Sequence, residues 1–224
     1  MIKLAIFDLD GTLVDSMTYW SNAPIEYVKQ KNLDIPRDEK LDDVFLSMSL
    51  VESAKYFISH YGIKDSIEKI CKDIDDIMEY NYLNYVELKP GVRELLIELD
   101  KLGIKMAIAT STDHYLVDEI TKKLNIDKYF KYTLTCGEVG KSKQNPDIYL
   151  RVGEHFNVKP EETIIFEDLP YGIISSNSAN IHTVGVYDYP SLHHQETIKK
   201  NAKLYVKHLD KETIDRIIDY IKNS

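Results

Sequence analysis

Cysteine is scarce in this chain of 224 residues: Cys71 and Cys136 are the only two, and neither belongs to a CxxC pair. The pattern speaks against a disulfide framework and for free thiols in a reducing compartment. No segment approaches eighteen consecutive apolar residues, and the opening MIKLAIFDLD lacks a basic stretch followed by a long apolar one. Neither a membrane span nor a secretory leader is expected, and the chain reads as a cytoplasmic monomer. Dense basic blocks and RGG-like tracts are missing too. With 28 Lys and Arg against 37 Asp and Glu, the formal net charge is -9, which makes nucleic acid a poor partner. The same balance repels a small phosphorylated compound at long range, so an anion site has to be built from local positive groups or a metal ion. No repeat or low-complexity tract is visible, and no GxGxxG opens a helix. GEVGKS is not the end of a P-loop, because Thr135 stands where its first glycine belongs.

The chain does contain regularly spaced apolar runs. LAIF at 4–7, KMAIAT at 105–110, YTLTC at 132–136, TIIFED at 163–168, HTVGVY at 182–187 and AKLYV at 202–206 read as buried strands. Helical patterns at 91–102, 112–124, 146–157 and 210–222 alternate with them, which predicts an α/β fold with a doubly wound, Rossmann-like parallel sheet. Residues 16 to 86 differ, with helical spacing throughout. Trp20, Ala23 and Tyr27 form one stripe; Ile67, Ile70, Ile74 and Ile77, with Cys71 and Met78, form another. The expected organisation is a core of 1–15 plus 88–224 and a small all-α cap of 16–87 inserted after the first strand, with Pro90 and Gly91 marking the return.

In LAIFDLDGTLVDS, Asp8 and Asp10 directly follow an apolar run, where ionised groups lose hydration unless something neutralises them. Extended geometry through Asp10 would send both carboxylates to one side. Ligands of open α/β sheets sit beyond the carboxyl ends of strands, so the strand ends are informative. They carry Asp8, Thr110 with Ser111, and Glu167 with Asp168, while Lys143 precedes a helix. Taken singly these residues read as a turn, a helix cap, a helix start and a surface charge. Those readings leave unexplained why strand ends collect acids, hydroxyls and a lysine, and the Thr110–Ser111 stretch at an expected helix start is suited to anions.

DLDGT, the Thr110 of AIATS, the Lys143 of SKQNPDIY and FEDLPYGI resemble, in order, the four motifs of the haloacid dehalogenase superfamily. The helical insert is similar to the cap of its β-phosphoglucomutase-like branch. The resemblance implies a Mg²⁺-dependent phosphatase acting on a small phosphorylated metabolite such as a sugar or polyol phosphate. It casts Asp8 as nucleophile and Asp10 as general acid and base. Asp8, the Asp10 carbonyl and Asp168 become metal ligands; Thr110, Ser111 and Lys143 bind phosphate; Glu167 is either an extra metal contact or, the preferred reading, an acceptor behind the metal. Asp10 itself argues for phosphoryl transfer, since dehalogenases do without it. A phosphomutase is the alternative, but Trp20 stands where mutases of this branch carry a histidine. A receiver-like binding module, the third reading, usually has its aspartate on a later strand and no helical insert of this size. Trp20, Met48 and Ser49 are the cap positions expected near substrate.

Overall fold

The computed structural model of the chain describes residues 1–31 and 50–224. These residues form two compact units, Met1–Asp15 with Glu87–Ser224, and Ser16–Val86. The smaller unit contains α1 (Met17–Gln30), α2 (Leu50–Tyr61) and α3 (Ile67–Asn84), and no strand among its described residues. α3 starts at Ser66, whose hydroxyl accepts the Lys69 N–H at 3.2 Å and satisfies a donor that the helix cannot. Of the expected stripe, Ile70, Ile74, Ile77 and Met78 are buried while Ile67 and Cys71 are half-buried; Ala23, Tyr27 and Val28 of α1 and Ala54 and Phe57 of α2 are buried too. The Tyr27 and Phe57 rings lie 5.3 Å apart. No helix among the described residues is long and apolar enough to cross a membrane.

In the larger unit every run expected as a strand is one. They are β1 (Leu4–Phe7), β2 (Lys105–Thr110), β3 (Tyr132–Thr135), β4 (Thr163–Glu167), β5 (His182–Val186) and β6 (Leu204–Val206). All pair in parallel, in the spatial order β3-β2-β1-β4-β5-β6. Parallel strands are buried on both faces and so read as unbroken apolar runs; all four residues of β1 are buried. Between strands run α4 (Val92–Lys101), α5 (His114–Lys123), the single turn α6 (Cys136–Val139), α7 (Asp147–Phe156), α8 (Pro170–Ser178) and α9 (Gln195–Asn201), and α10 (Lys211–Asn223) follows β6. α10 is capped by the Asp210 carboxylate, which accepts the Thr213 N–H at 2.9 Å. It buries Ile214, Ile217, Ile218 and Ile221, each worth ~1.5–3 kcal/mol relative to exposure.

Gly91, just before α4, has a φ of 84°, and a Cβ there would stand 1.9 Å from the Leu209 carbonyl oxygen. Left-handed strain and overpacking therefore act together, and Gly91→Ala is expected to cost roughly 2–4 kcal/mol. The measurement is urea unfolding of the whole chain, where the midpoint should fall at unchanged slope. An unaltered midpoint would show that the loop around Leu209 yields freely.

Sheet order bears directly on function. β1 lies between β2 and β4, so the chain departs from it in opposite directions and leaves a crevice at its carboxyl end. Extended geometry stops earlier than the sequence predicts, at Phe7. Asp8 keeps one ladder bond, donating its N–H to the Phe166 carbonyl at 3.0 Å; the chain then turns, with Leu9 O accepting the N–H groups of Thr12, Leu13 and Val14. Gly11 permits this turn with a φ of 76°.

Candidate active site

Strand register assembles the first part of the site. β1 and β4 pair Phe7 with Phe166, whose rings stack at 4.4 Å, so the next residues, Asp8 and Glu167, end side by side on the opposite face. Both carboxylates are buried, and Lys143 reaches between them, 2.5 Å from Asp8 Oδ1 and 2.7 Å from Glu167 Oε1. Its side chain is only 3% exposed; it is no solvated surface charge. The Ser175 hydroxyl donates to the Lys143 carbonyl at 2.6 Å and holds the loop that delivers it. Glu167 also accepts the Tyr149 hydroxyl and the Leu169 N–H, each at 3.1 Å, so both of its oxygens are engaged within the protein.

The DLDGT turn supplies the second part. Thr112 Oγ1 donates to Asp10 Oδ2 at 2.5 Å, and Thr12 Oγ1 donates to Asp168 Oδ1 at 3.4 Å. Thr110 closes β2 and is buried; its hydroxyl accepts the Thr112 N–H at 3.2 Å. That local turn competes with helix formation, which explains why α5 begins at His114, two residues later than its apolar spacing predicts. Ser111 is exposed and donates to Cys136 Sγ at 3.5 Å. On the far side, Ser191 Oγ donates to Asp168 Oδ2 at 3.2 Å.

The electrostatics follow from burial. One carboxylate oxygen from each of Asp8, Glu167 and Asp168 lies within 4.8 Å of the others, and all three residues are buried. Desolvation pushes Asp8 up to about 7 against the pull of Lys143, with Glu167 and Asp10 raising it further. Burial, then the neighbouring charges of Glu167, Asp8 and Asp188, hold Asp168 well above the usual carboxylate range, and Lys89 opposes this. For Lys143 burial disfavours the ammonium, yet Asp8 and Glu167 overcome it and keep the group well above the ordinary lysine value. Lys143 pairs with Asp8 and Glu167 but not with Asp168, so the three crowded acids are left short of positive charge. A purely oxygen donor set of this kind fits a hard divalent cation such as Mg²⁺.

Asp8, Asp10, Thr110, Lys143, Glu167 and Asp168 all gather at the carboxyl ends of β1, β2 and β4. Trp20, in the helical unit, is half-buried, donates Nε1–H to the Tyr82 hydroxyl at 3.0 Å and meets that ring edge-on. Met48 and Ser49 lie outside the described residues. Sequence reasoning did not single out Thr12, Thr112, Tyr149, Ser191, Lys89 or Asp188. Asp188 did leave a signal: it follows β5 at the same edge of the sheet, where strand ends carry polar groups. Tyr149 reads from its spacing as core, and nothing in the sequence marks Ser191.

Comparison with known proteins gives the geometry a lineage. Residues 5–186 match the family described as haloacid dehalogenase-like hydrolase. The chain is 30% identical over 183 residues to the phosphorylated carbohydrates phosphatase of Thermotoga maritima, a match covering 82% of this chain and 84% of that protein. To the beta-phosphoglucomutase of Bacillus subtilis it is 27% identical over 219 residues, covering 94% and 95%. The crystal structure of a beta-phosphoglucomutase from Clostridium difficile shares the fold with a TM-score of 0.78 at 24% identity, covering 100% of this chain and 98% of that one. With most of its length matched and its acids and lysine gathered at the strand ends, the chain belongs to the haloacid dehalogenase-like hydrolase family.

Proposed function

We propose that this protein is a Mg²⁺-dependent phosphatase that hydrolyses a small phosphorylated sugar or polyol through a phosphate ester on Asp8. The observation that carries the reading is the buried contact of Lys143 with Asp8 and Glu167, 2.5 and 2.7 Å away. It holds the Asp8 carboxylate ready at the carboxyl end of the central strand. Asp8 Oδ attacks phosphorus while the bond to the leaving alkoxide breaks, and Asp10 delivers the proton which that oxygen needs. Asp10, now a carboxylate, takes a proton from water, whose oxygen displaces Asp8 and releases inorganic phosphate. Thr110, the Ser111 amide and Lys143 hold the phosphoryl oxygens, positioning being most of what this transfer requires. Asp8, Asp168 and the Asp10 carbonyl would hold the cation. When bound, it neutralises the acids and screens the charge of the incoming phosphate. Glu167, whose oxygens accept from Lys143, Tyr149 and Leu169, acts as the acceptor behind the metal.

The named relatives support the substrate class, one being a phosphatase of phosphorylated carbohydrates. Isomerisation is the second reading, favoured by the nearly full-length likeness to a beta-phosphoglucomutase. Trp20, in place of the histidine that mutases of this branch carry there, favours water as the acceptor. The test is a panel of sugar and polyol phosphates assayed for inorganic phosphate with Mg²⁺ and after exhaustive chelation. Release should fall by ~10²-fold or more on chelation. Undiminished release without divalent metal would overturn the metal dependence, and an isomerised ester in place of inorganic phosphate would favour the mutase.

A further inference from the structure

Lys89 lies in no motif and is half-buried, yet its ammonium is fully engaged. Its ammonium, with the side chain 15% exposed, has three acceptors at 2.7 Å each: the carbonyl oxygens of Gly11 and Tyr187, and Asp188 Oδ1. An ammonium carries three N–H groups, so every donor is used. The acceptors belong to two segments distant in sequence, the DLDGT turn and the stretch that leaves β5. The Lys89 backbone N–H also donates to the Leu13 carbonyl at 3.0 Å, so one residue grips the turn at two points. Asp188 is 2% exposed and its Oδ2 has no hydrogen-bond partner. Such a carboxylate is stable only beside a cation, which makes the pair interdependent.

We propose that Lys89, braced by Asp188, is a positioning residue for Asp10. Gly11 has no side chain with which to anchor the turn, and its φ of 76° is a conformation that a free glycine leaves readily. Holding its carbonyl fixes the path of the chain directly after Asp10, and with it the place of the carboxyl group that meets Thr112 at 2.5 Å. Proton transfer demands heavy atoms within hydrogen-bond reach, so a small displacement of the acid lowers the rate steeply. The inference rests on Asp10 being the general acid and base, and the experiment separates the two claims.

The test compares kcat/KM for p-nitrophenyl phosphate, whose leaving group needs no proton, with that for the alkyl phosphate turned over fastest in the panel. The proteins are the wild type, Asp10→Asn, Lys89→Met and the double variant Lys89→Met/Asp188→Asn, each followed by thermal unfolding. Lys89→Met should lower the alkyl value by ~10-fold or more and the aryl value by less than ~3-fold, in the direction that Asp10→Asn takes. It also strands a buried carboxylate and should melt lower. The double variant leaves no orphaned charge, so its melting temperature should recover while the skewed ratio persists, because Gly11 still lacks its donor. Equal losses on both esters in the folded double variant, or a ratio restored together with the melting temperature, would overturn the positioning role and leave Asp10 untouched. Equal losses in Asp10→Asn itself would instead remove the acid on which the inference rests.

Discussion

Asp8→Asn should lower turnover of every phosphate ester by roughly 10³-fold or more, because an amide cannot supply the oxygen nucleophile that a carboxylate does. The substitution keeps the shape of the side chain and its ladder bond through the backbone to Phe166. Its effect on stability should be small or favourable: one of three crowded acids disappears, while Lys143 retains Glu167 at 2.7 Å. Circular dichroism should therefore report an intact, equally stable fold with no catalysis. In the wild type, acid quenching during turnover should trap a phosphate ester on Asp8, detectable by mass spectrometry, and the variant should yield none. A near-normal rate in Asp8→Asn would mean that water attacks phosphorus directly and that Asp8 serves only the metal.

Lys143→Met makes the opposite demand, because both fold and chemistry depend on this residue. Without its ammonium, Asp8, Asp168 and the fully buried Glu167 face one another with no cation between them. Removing one partner of a buried pair typically costs about 3–5 kcal/mol, and here the loss should register in urea unfolding of the metal-free protein. Activity should drop by ~10²-fold or more, since a phosphoryl-binding donor is lost together with the charge that holds the nucleophile. Millimolar Mg²⁺ should raise the melting temperature of the variant more than that of the wild type, as a cation that binds the folded state takes up the uncompensated charge. Adding Glu167→Gln should restore part of the stability and none of the activity. A single variant as stable as the wild type would show that the acids are already neutral without Lys143.

Some elements were legible without coordinates and others were not. The six strands could be read because each buried parallel strand is a short apolar run, and the alternation of runs with helical spacings dictates the layers. β1, β2 and β4 end in residues unlike the runs before them, so Asp8, Thr110, Glu167 and Asp168 stood out. Two local readings were altered by turns. The extended path assumed through Asp10 stops at Phe7, because Gly11 lets the chain fold back on Leu9. The helix after β2 starts late because Thr112 bonds back to Thr110.

The linear order of residues by itself determined which segments are strands, where α4, α5, α7 and α10 lie though not α6, α8 and α9, and which acids stand where a parallel sheet opens toward ligand. Those are properties of near neighbours: hydrophobic runs, spacings of three and four, and the polarity change at a strand's end. Tertiary structure alone decided that Lys143 enters the acid cluster, that Thr112 meets Asp10, that Ser191 backs Asp168, and that Lys89 ties Gly11 to Asp188. Each of these joins segments 23 to 135 residues apart, and a single lysine, serine or threonine carries no mark of its partner until packing removes the water that would otherwise satisfy it.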